Sequence, residues 1–577
     1  MTSCKDLVKV IISRFDLASR LNLTLLDTVI VNTILISALR KPDSFPHDTE
    51  NIELIETHIS WIILTGDIAY KIKKPVNFGF LDFTSLHQRK QYCEAELSLN
   101  SRSAPEIYLG LVGISGTPEA PVLHPSSDDT EIEGVFEYAV KMNQFERGQL
   151  FSELAESEQL NFGHVEELAD KVSQFHRMVT PSNDLLVEHS NLSSEHNDYG
   201  NPERVYAPMK QNFEQITAML DDTDLLQQLN QLEAWTESSF ERLRPMLEQR
   251  KSQGFVRNCH GDLHLGNLTI YAQNVTLFDC IEFNDDFRWI DVISDIAFLV
   301  MDFEVHELPH FANRFLNNYL EQTGDYAGLQ LLYFYKAYRA VVRAKIALLS
   351  MQSSAMQSSS IQGQDLSPEQ KDKFMRQYTS YIDLAESYTR LPNRFVLTMH
   401  GVSGTGKSTV ALRLVDRLGV IRIRSDVERK RLFGIDPHEH PGPELALEMY
   451  SDDASLQTYD TLATLCGYVL DAALCVVVDA TNLKYWQREC LQQVADARGV
   501  PLCIAYCQAS MPIIREWIQK RKNEDIDVSD ADFSTVDKQI RLRDSLNAEE
   551  LQQTFVIHSN VLDETNELVS QIKQRFM

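Results

Sequence analysis

The sequence predicts a mixed α/β and α+β multidomain protein, in which a bilobal region reaching to about residue 390 precedes a parallel sheet covered by helices. Three observations carry this expectation. At 577 residues the chain is longer than one hydrophobic core usually supports. Its first part runs in the order strand, turn, strand with lysines, helix with glutamates, and then strand-rich over residues 106–141 before turning helical from about 150 to 250. From residue 395 onward strands and helices alternate, the pattern of a parallel sheet with helical crossovers.

Taken in order, Leu21–Leu39 is the most apolar stretch near the start, but Asn22, Asp27 and Asn32 interrupt it and no small-residue cleavage site follows. It reads as an amphipathic helix, not a membrane span or signal peptide, and residues 1–40 are set apart as an N-terminal extension. After the turn-rich Lys41-Pro42-Asp43-Ser44-Phe45-Pro46, residues 52–64 and 68–73 read as two strands joined through Thr65-Gly66-Asp67. Residues 85–101 carry helical spacing with Glu94 and Glu96, so a small lobe is expected over about 41–142 and a large one over about 143–390. Ser350–Asp365, rich in Ser, Gln and Met without an apolar period, reads as a flexible loop. Ser367, Pro368 and Gln370 then open a capped helix whose apolar face is Phe374, Tyr378, Tyr381, Ile382 and Ala385. Leu391-Pro392-Asn393 closes it and marks the boundary to a last domain, 391–577.

Composition narrows the function classes. The net charge is −29, about −6 of it from residue 393 onward and about −23 before, so neither part suits general nucleic-acid binding, which rests on Lys and Arg. The nine cysteines include no C-x-x-C pair and are odd in number, which suits reduced thiols in the cytoplasm. Cys503 and Cys507 have a metal-like interval but lie in an apolar strand-like run without a second pair, so buried thiols are expected there.

The most informative segment is His260-Gly261-Asp262-Leu263-His264-Leu265-Gly266-Asn267, followed a strand later by Asp279. Phosphoryl transfer asks for an aligned acceptor hydroxyl, neutralised phosphates and a group to receive the hydroxyl proton. Asp262 is placed to take the proton, while Asn267 and Asp279 offer the hard oxygen ligands that suit Mg²⁺. The segment resembles the aminoglycoside phosphotransferase family, which has a protein-kinase-like fold and an H-G-D-x-H-x-x-N loop; every fixed position is present, His260 and His264 included. The resemblance covers about 45–390 and implies that Tyr70-Lys71-Ile72-Lys73 is the lysine strand for ATP, with Glu94 or Glu96 as helix partner. Lys71 and Lys73 point the same way on a strand, so the choice stays open with Lys71 first. Lys336, Arg339 and Arg343 share a helix face, which either lines a cleft for an anionic acceptor or pairs with carboxylates. Asp295 is read as a helix cap that braces the loop.

Downstream, Gly401-Val402-Ser403-Gly404-Thr405-Gly406-Lys407-Ser408, with Thr409 after it, fits G-x-x-x-x-G-K-[ST] between a strand and a helix. Backbone N–H groups of such a loop and the positive end of its helix converge on phosphates. Lys407 is expected on the β and γ phosphates, Ser408 on Mg²⁺, and Asp479 at the end of Val476-Val477-Val478 as the acidic contact to the metal. Asp426 in Ser425-Asp426-Val427-Glu428-Arg429-Lys430 is the candidate base for an acceptor hydroxyl, and Arg429 a candidate phosphate contact. Arg515, Lys520, Arg521 and Lys522 precede the acidic Asp525–Asp530 and read as a basic lid, with Arg515 and Arg521 the contacts to nucleotide. Residues 394–577 look like the small P-loop kinases grouped with gluconate kinases and zeta-type toxins.

The whole arrangement resembles bacterial bifunctional aminoglycoside phosphotransferase and ATP-binding proteins. That resemblance implies a cytoplasmic, Mg-dependent transferase with two ATP sites acting on small hydroxylated molecules, with no membrane or general nucleic-acid partner. Two rivals stand beside it: an ATP-sensing protein in which one kinase-like half is inactive, and a toxin-like downstream domain restrained by its neighbour.

Overall fold

The computed structural model describes residues 23–79, 81–125, 133–182, 198–362, 366–437, 439–524 and 533–576. Cys4, residues 363–365 of the expected loop, the acidic run Asp525–Asp530 and the Arg521 side chain lie outside the described residues. Two compact units emerge. The first comprises residues up to Leu160, Phe175–Phe298 and Tyr338–Ala385; the second comprises Asn161–Gln174, Leu299–Ala337 and Glu386–Met577.

In the first unit a six-stranded antiparallel sheet has the order β1-β2-β3-β6-β4-β5. Its strands are β1 (Glu53–Glu56), β2 (Ser60–Leu64), β3 (Ile68–Lys73), β4 (Tyr108–Thr117), β5 (Ala120–Pro125) and β6 (Glu137–Asn143). The expected single strand over 52–64 is broken at Thr57-His58-Ile59, where Thr57 Oγ1 accepts from Ser60 N at 2.9 Å and closes a turn. Two helices flank the sheet, α1 (Leu23–Ala38) and α2 (Leu86–Asn100). Leu35, Ile36 and Leu39 are buried with Ile63, Tyr70, Ile72 and Ile114. Asn32 also donates to the buried Glu137 carboxylate at 3.0 Å, which Arg89 holds at 2.9 Å. The helix read as a separate N-terminal extension is therefore part of this core, because its apolar face is what covers one side of the sheet.

The catalytic-type loop sits among short strands: β7 (Val256–Asn258), β8 (Leu268–Tyr271), β9 (Asn274–Leu277) and β10 (Trp289–Asp291). The long helix α3 (Thr223–Ser252) continues the unit, and α4 (Val292–Val305) starts in it and runs on into the second unit from Leu299. Helix α5 (Pro309–Thr323) belongs to the second unit, and α6 (Leu332–Gln362) passes from the second unit back into the first. Where the sequence predicts a flexible loop at 350–365, α6 runs on to Gln362: Met, Gln and Ser carry a helix already nucleated, and the first glycine stands at Gly363. The capped helix follows as α7 (Pro368–Ser387), with Gln370 N donating to Ser367 Oγ at 3.2 Å and Ser367 N to Gln370 Oε1 at 3.0 Å.

The second unit carries a five-stranded parallel sheet in the order β12-β13-β11-β14-β15. These strands are β11 (Val396–His400), β12 (Ile421–Arg424), β13 (Val476–Asp479), β14 (Leu502–Gln508) and β15 (Thr554–His558). The inner strands are covered on both faces, and β11 and β13 are buried at every position, whereas the edge strand β12 alternates Ile and Arg. Helices α8 (Lys407–Leu418) and α9 (Leu562–Phe576) pack on one face, where Leu414, Val415, Leu568 and Ile572 join Leu397, Met399, Val477 and Ala505. The helical stretch expected over 426–471 divides into α10 (Ser425–Leu432), α11 (Pro443–Met449) and α12 (Asp452–Asp471). Cys503 and Cys507 are buried thiols on β14, and all eight cysteines among the described residues are free. Among the described residues no helix is long and apolar enough to cross a membrane.

Candidate functional sites

The upstream site is assembled on β3, α2 and the loops around β8 and β9. Lys71 and Lys73 both lie on the buried face of β3, and both reach Glu96 on α2, Lys71 Nζ to Oε1 at 2.8 Å and Lys73 Nζ to Oε2 at 2.8 Å. Each has a second carboxylate: Lys71 pairs with Asp279 and Lys73 with Glu282. Glu94 is excluded as the helix partner. It faces outward and pairs with Lys90 at 3.6 Å, because two residues along a helix turn a side chain to a different face. Burial alone would raise the Glu96 carboxyl, but the two lysines hold it below the usual carboxylate range; Glu282, buried and beside Glu96, is pushed up against the pull of Lys73.

The loop holding Asp262 is fixed from below. Asp295 accepts from His260 N at 3.1 Å and Gly261 N at 2.9 Å, and His176 Nε2 lies 3.1 Å from the same carboxylate. Its bracing role agrees with the sequence, but the helix start is capped by Asp291, which accepts from Ile293 N at 2.9 Å and pairs with Arg250 at 2.7 Å. His176, Cys259 and Asp295 lie close enough to suggest a metal group, yet the Asp295 oxygens are committed to the loop. Gly261 has φ +85, and a Cβ there would stand 2.6 Å from Phe287 O, so only glycine fits this turn. His260 is fully buried, its Nε2 2.9 Å from Phe278 O and its Nδ1 accepting from Asp262 N at 3.3 Å. His260 is thus a strut between the two loops.

Asp262, Asn267 and Asp279 converge. Asn267 Nδ2 donates to Asp262 O at 2.9 Å and to Asp262 Oδ2 at 3.0 Å, so its amide oxygen is the atom left to offer a hard cation. Phe278 N donates to Asn267 O at 3.1 Å, which brings Asp279 to the same place. Asp279 adopts φ +63, held by its N–H donating to the buried Tyr108 hydroxyl at 3.1 Å, while Cys280 N donates to Asn100 Oδ1 at 2.9 Å. A left-handed aspartate costs backbone energy that these two bonds offset. His264 Nε2 is 3.4 Å from Asp262 Oδ2. Burial would raise the Asp262 carboxyl, but His264, Arg343 and His260 hold it well below the usual range. The basic stripe on α6 divides by role. Lys336 pairs with Glu304 at 2.7 Å, and Arg339 is buried, donating to Gly261 O at 3.0 Å. Arg343 Nε donates to Tyr381 OH at 3.2 Å with its charge felt at Asp262.

In the second unit the glycine-rich loop leaves β11, the central strand, and enters α8. Gly401 has φ +141 and no room for a Cβ, with Cys507 O at 2.6 Å. Lys407 is buried with Nζ 2.9 Å from Val402 O, and Thr405 Oγ1 donates to the same carbonyl at 2.8 Å. Ser408 and Thr409 are exposed at the start of α8, whereas Ser403 and Thr405 are buried. Gly404 has φ +79 and Gly406 φ +78, the turns that bend the loop over itself. Asp479 ends β13 next to Arg424 of β12, and its buried Oδ2 has no partner among the described residues. An orphaned carboxylate oxygen beside a phosphate-type loop fits a hydrated Mg²⁺.

Asp426 lies in the first turn of α10, just past the C-terminal end of β12. Arg429 is buried against Tyr450 and donates through Nη1 to Met449 O at 2.7 Å, while its buried Nε has no partner among the described residues. Arg515 on α13 (Met511–Glu524) lies over the Phe533 ring at 4.5 Å. Tyr108, Asn100, His176 and Glu282 were absent from the sequence-based site; none belongs to a motif, and only folding brings them to it.

Two stretches of the chain match models of known families. Residues 115–332 match a family model described as the phosphotransferase enzyme family, and residues 396–546 match one described as an AAA domain. An uncharacterized protein of Mycobacterium tuberculosis is 26% identical over 484 residues, 84% of this chain and 89% of the relative. Among solved structures, a choline kinase from Cryptosporidium parvum is 12% identical and covers 62% of this chain and 95% of its own, with a TM-score of 0.34. A gluconokinase from Sinorhizobium meliloti is 19% identical over 32% of this chain and 95% of its own, with a TM-score of 0.23. The chain therefore carries a segment similar to the phosphotransferase enzyme family followed by a segment similar to an AAA domain, matches that imply nucleotide use.

Proposed function

We propose that this protein is an ATP-dependent, Mg-dependent phosphotransferase with two nucleotide sites, each directing the terminal phosphoryl group to a hydroxyl of a small molecule. The observation that carries the reading is the convergence of Asp262, Asn267 and Asp279 with Lys71 and Glu96. Lys71 positions the phosphates, Asn267 and Asp279 would hold Mg²⁺, and Mg²⁺ when bound neutralises phosphate charge at that point. Asp262, ionised across the neutral range, orients the acceptor hydroxyl and takes its proton. Arg343, close enough to act on Asp262, favours an acceptor with a negative group beside the reacting hydroxyl. Downstream, Lys407 and the loop N–H groups take the phosphates, Ser408 and Asp479 the metal, and Asp426 the acceptor proton.

The test uses the whole chain with labelled ATP and a pool of hydroxylated metabolites, comparing wild type with Asp262→Asn, Lys407→Ala and the pair together. Asp262→Asn is expected to slow upstream transfer by about 10²- to 10⁴-fold while leaving ATP binding in place. Lys407→Ala removes the downstream label transfer. Unchanged transfer in Asp262→Asn would reject the assigned base, and ATP binding with no acceptor labelled by either half would favour a nucleotide sensor instead.

A further inference from the structure

The peptide group joining Val402 to Ser403 is held from two sides. Its carbonyl accepts from Lys407 Nζ at 2.9 Å and Thr405 Oγ1 at 2.8 Å. Its N–H donates to Gln539 Oε1 at 2.7 Å, and Gln539 Nε2 in turn donates to Ser403 Oγ at 3.1 Å. Gln539 stands on α14 (Phe533–Leu542), three residues after Val536, so the two share a helix face. Val536 is fully buried in a cluster with Val402, Ile514 and Ile518. The helix is fixed beyond its end as well, where Asp544 N donates to Leu483 O at 2.9 Å and Asp544 Oδ2 accepts from Tyr485 N at 2.9 Å. A bidentate carboxamide on a packed helix face thus meets the third residue of the phosphate-binding loop.

Lys407 is the side chain that must leave the Val402 carbonyl to reach the β and γ phosphates. When it leaves, that carbonyl loses its charged partner and the peptide is freer to turn. We propose that Gln539 is a positioning residue for the downstream nucleotide site, fixing the Val402–Ser403 peptide so that Lys407 can be released to phosphate without the loop rearranging. The assignment rests on the downstream nucleotide reading given above. It adds a residue about 130 positions away from the glycine-rich motif, on an element no motif marks.

The full chain is used in a Lys71→Met background, which silences the upstream lysine, and ADP is titrated calorimetrically with and without Lys407→Ala. Hydrogen exchange is followed over the peptide spanning Gly401–Ser408. Gln539→Met keeps the volume and removes both hydrogen bonds; it is expected to weaken ADP about 2- to 12-fold, the net worth of one hydrogen bond. It should also speed exchange at the loop, and more there than elsewhere in the unit. Gln539→Glu retains an acceptor for the Ser403 N–H and should restore the loop's protection. If Gln539→Met does not fold, Ser403→Ala removes the hydroxyl half of the pair and should give a smaller rise in loop exchange. ADP affinity and loop exchange within twofold of the background would overturn the assignment alone. So would a lowered melting temperature with exchange raised throughout the unit, which marks simple packing. A background with no ADP site removable by Lys407→Ala would sink both this inference and the downstream nucleotide reading.

Discussion

Asp262 and His400 show how environment sets what a residue can do. Because His264, Arg343 and His260 keep the Asp262 carboxyl low against its burial, its protonation should produce no limb in the upstream pH–rate profile from pH 5 upward. A profile falling through pH 5 to 7 and made flat by a change at Asp262 would contradict that. His400 precedes the glycine-rich loop, and burial, with the Arg488 guanidinium adding to it, pushes its imidazole down to about 4 despite the 3.0 Å bond to Asn482 O. Unfolded, it titrates near 6.5, so between about pH 4 and pH 6.5 the unfolded state binds more protons and stability rises with pH. The contribution is present above the unfolded value and is lost as pH falls toward the folded one. His400→Gln should reduce this slope by up to about 1.4 kcal/mol per pH unit, checked by denaturant unfolding at pH 5 and pH 7.

At the level of elements, β3 and α2 clamp the loop that carries Asp279 at two points through a shared Glu96. Lys73 and Glu282 are almost wholly buried, and removing one member of such a pair leaves an uncompensated charge. Lys73→Met should therefore cost about 3–5 kcal/mol of stability, and Lys73→Met with Glu282→Met distinctly less, as read from paired thermal and denaturant unfolding. Equal losses in the single and double variants would mean the pair does not hold the loop. The His-Gly-Asp loop, the lysine strand and the glycine-rich loop were legible in the sequence because their chemistry demands fixed residue types at fixed short intervals. Glu96 could not be told from Glu94, since their helix has no marked apolar face in sequence and only packing against the sheet picks the side. The length of α6 escaped for a different reason: periodicity reports where apolar side chains are needed, and a helix can continue without them. Tyr108 and Asn100 carry no local signal at all, being ordinary residues that meet Asp279 and Cys280 only when the strands pair.

For the molecule as a whole, α5 is built into the second unit. Arg314 donates to Asp416 on α8 at 2.6 Å and to Glu166 at 2.5 Å; Glu321 takes Arg422 of β12 at 2.5 Å and Arg424 at 3.4 Å. Asn317 adds a bond from Arg422 N at 2.6 Å, and Tyr326 lies fully buried with its hydroxyl 3.4 Å from Arg422 O. Residues 391–577 expressed alone would leave the buried Arg422 without the Glu321 carboxylate and bare the edge strand β12, which leads into α10. That fragment is expected to melt lower and to be cut faster by protease than the same residues within the full chain. Matching melting and cleavage would show that the polar network around α5 adds nothing. If the network matters, cutting the chain at the proline-marked junction splits a packed unit, and a transplant of the glycine-rich part should carry the α5 segment with it.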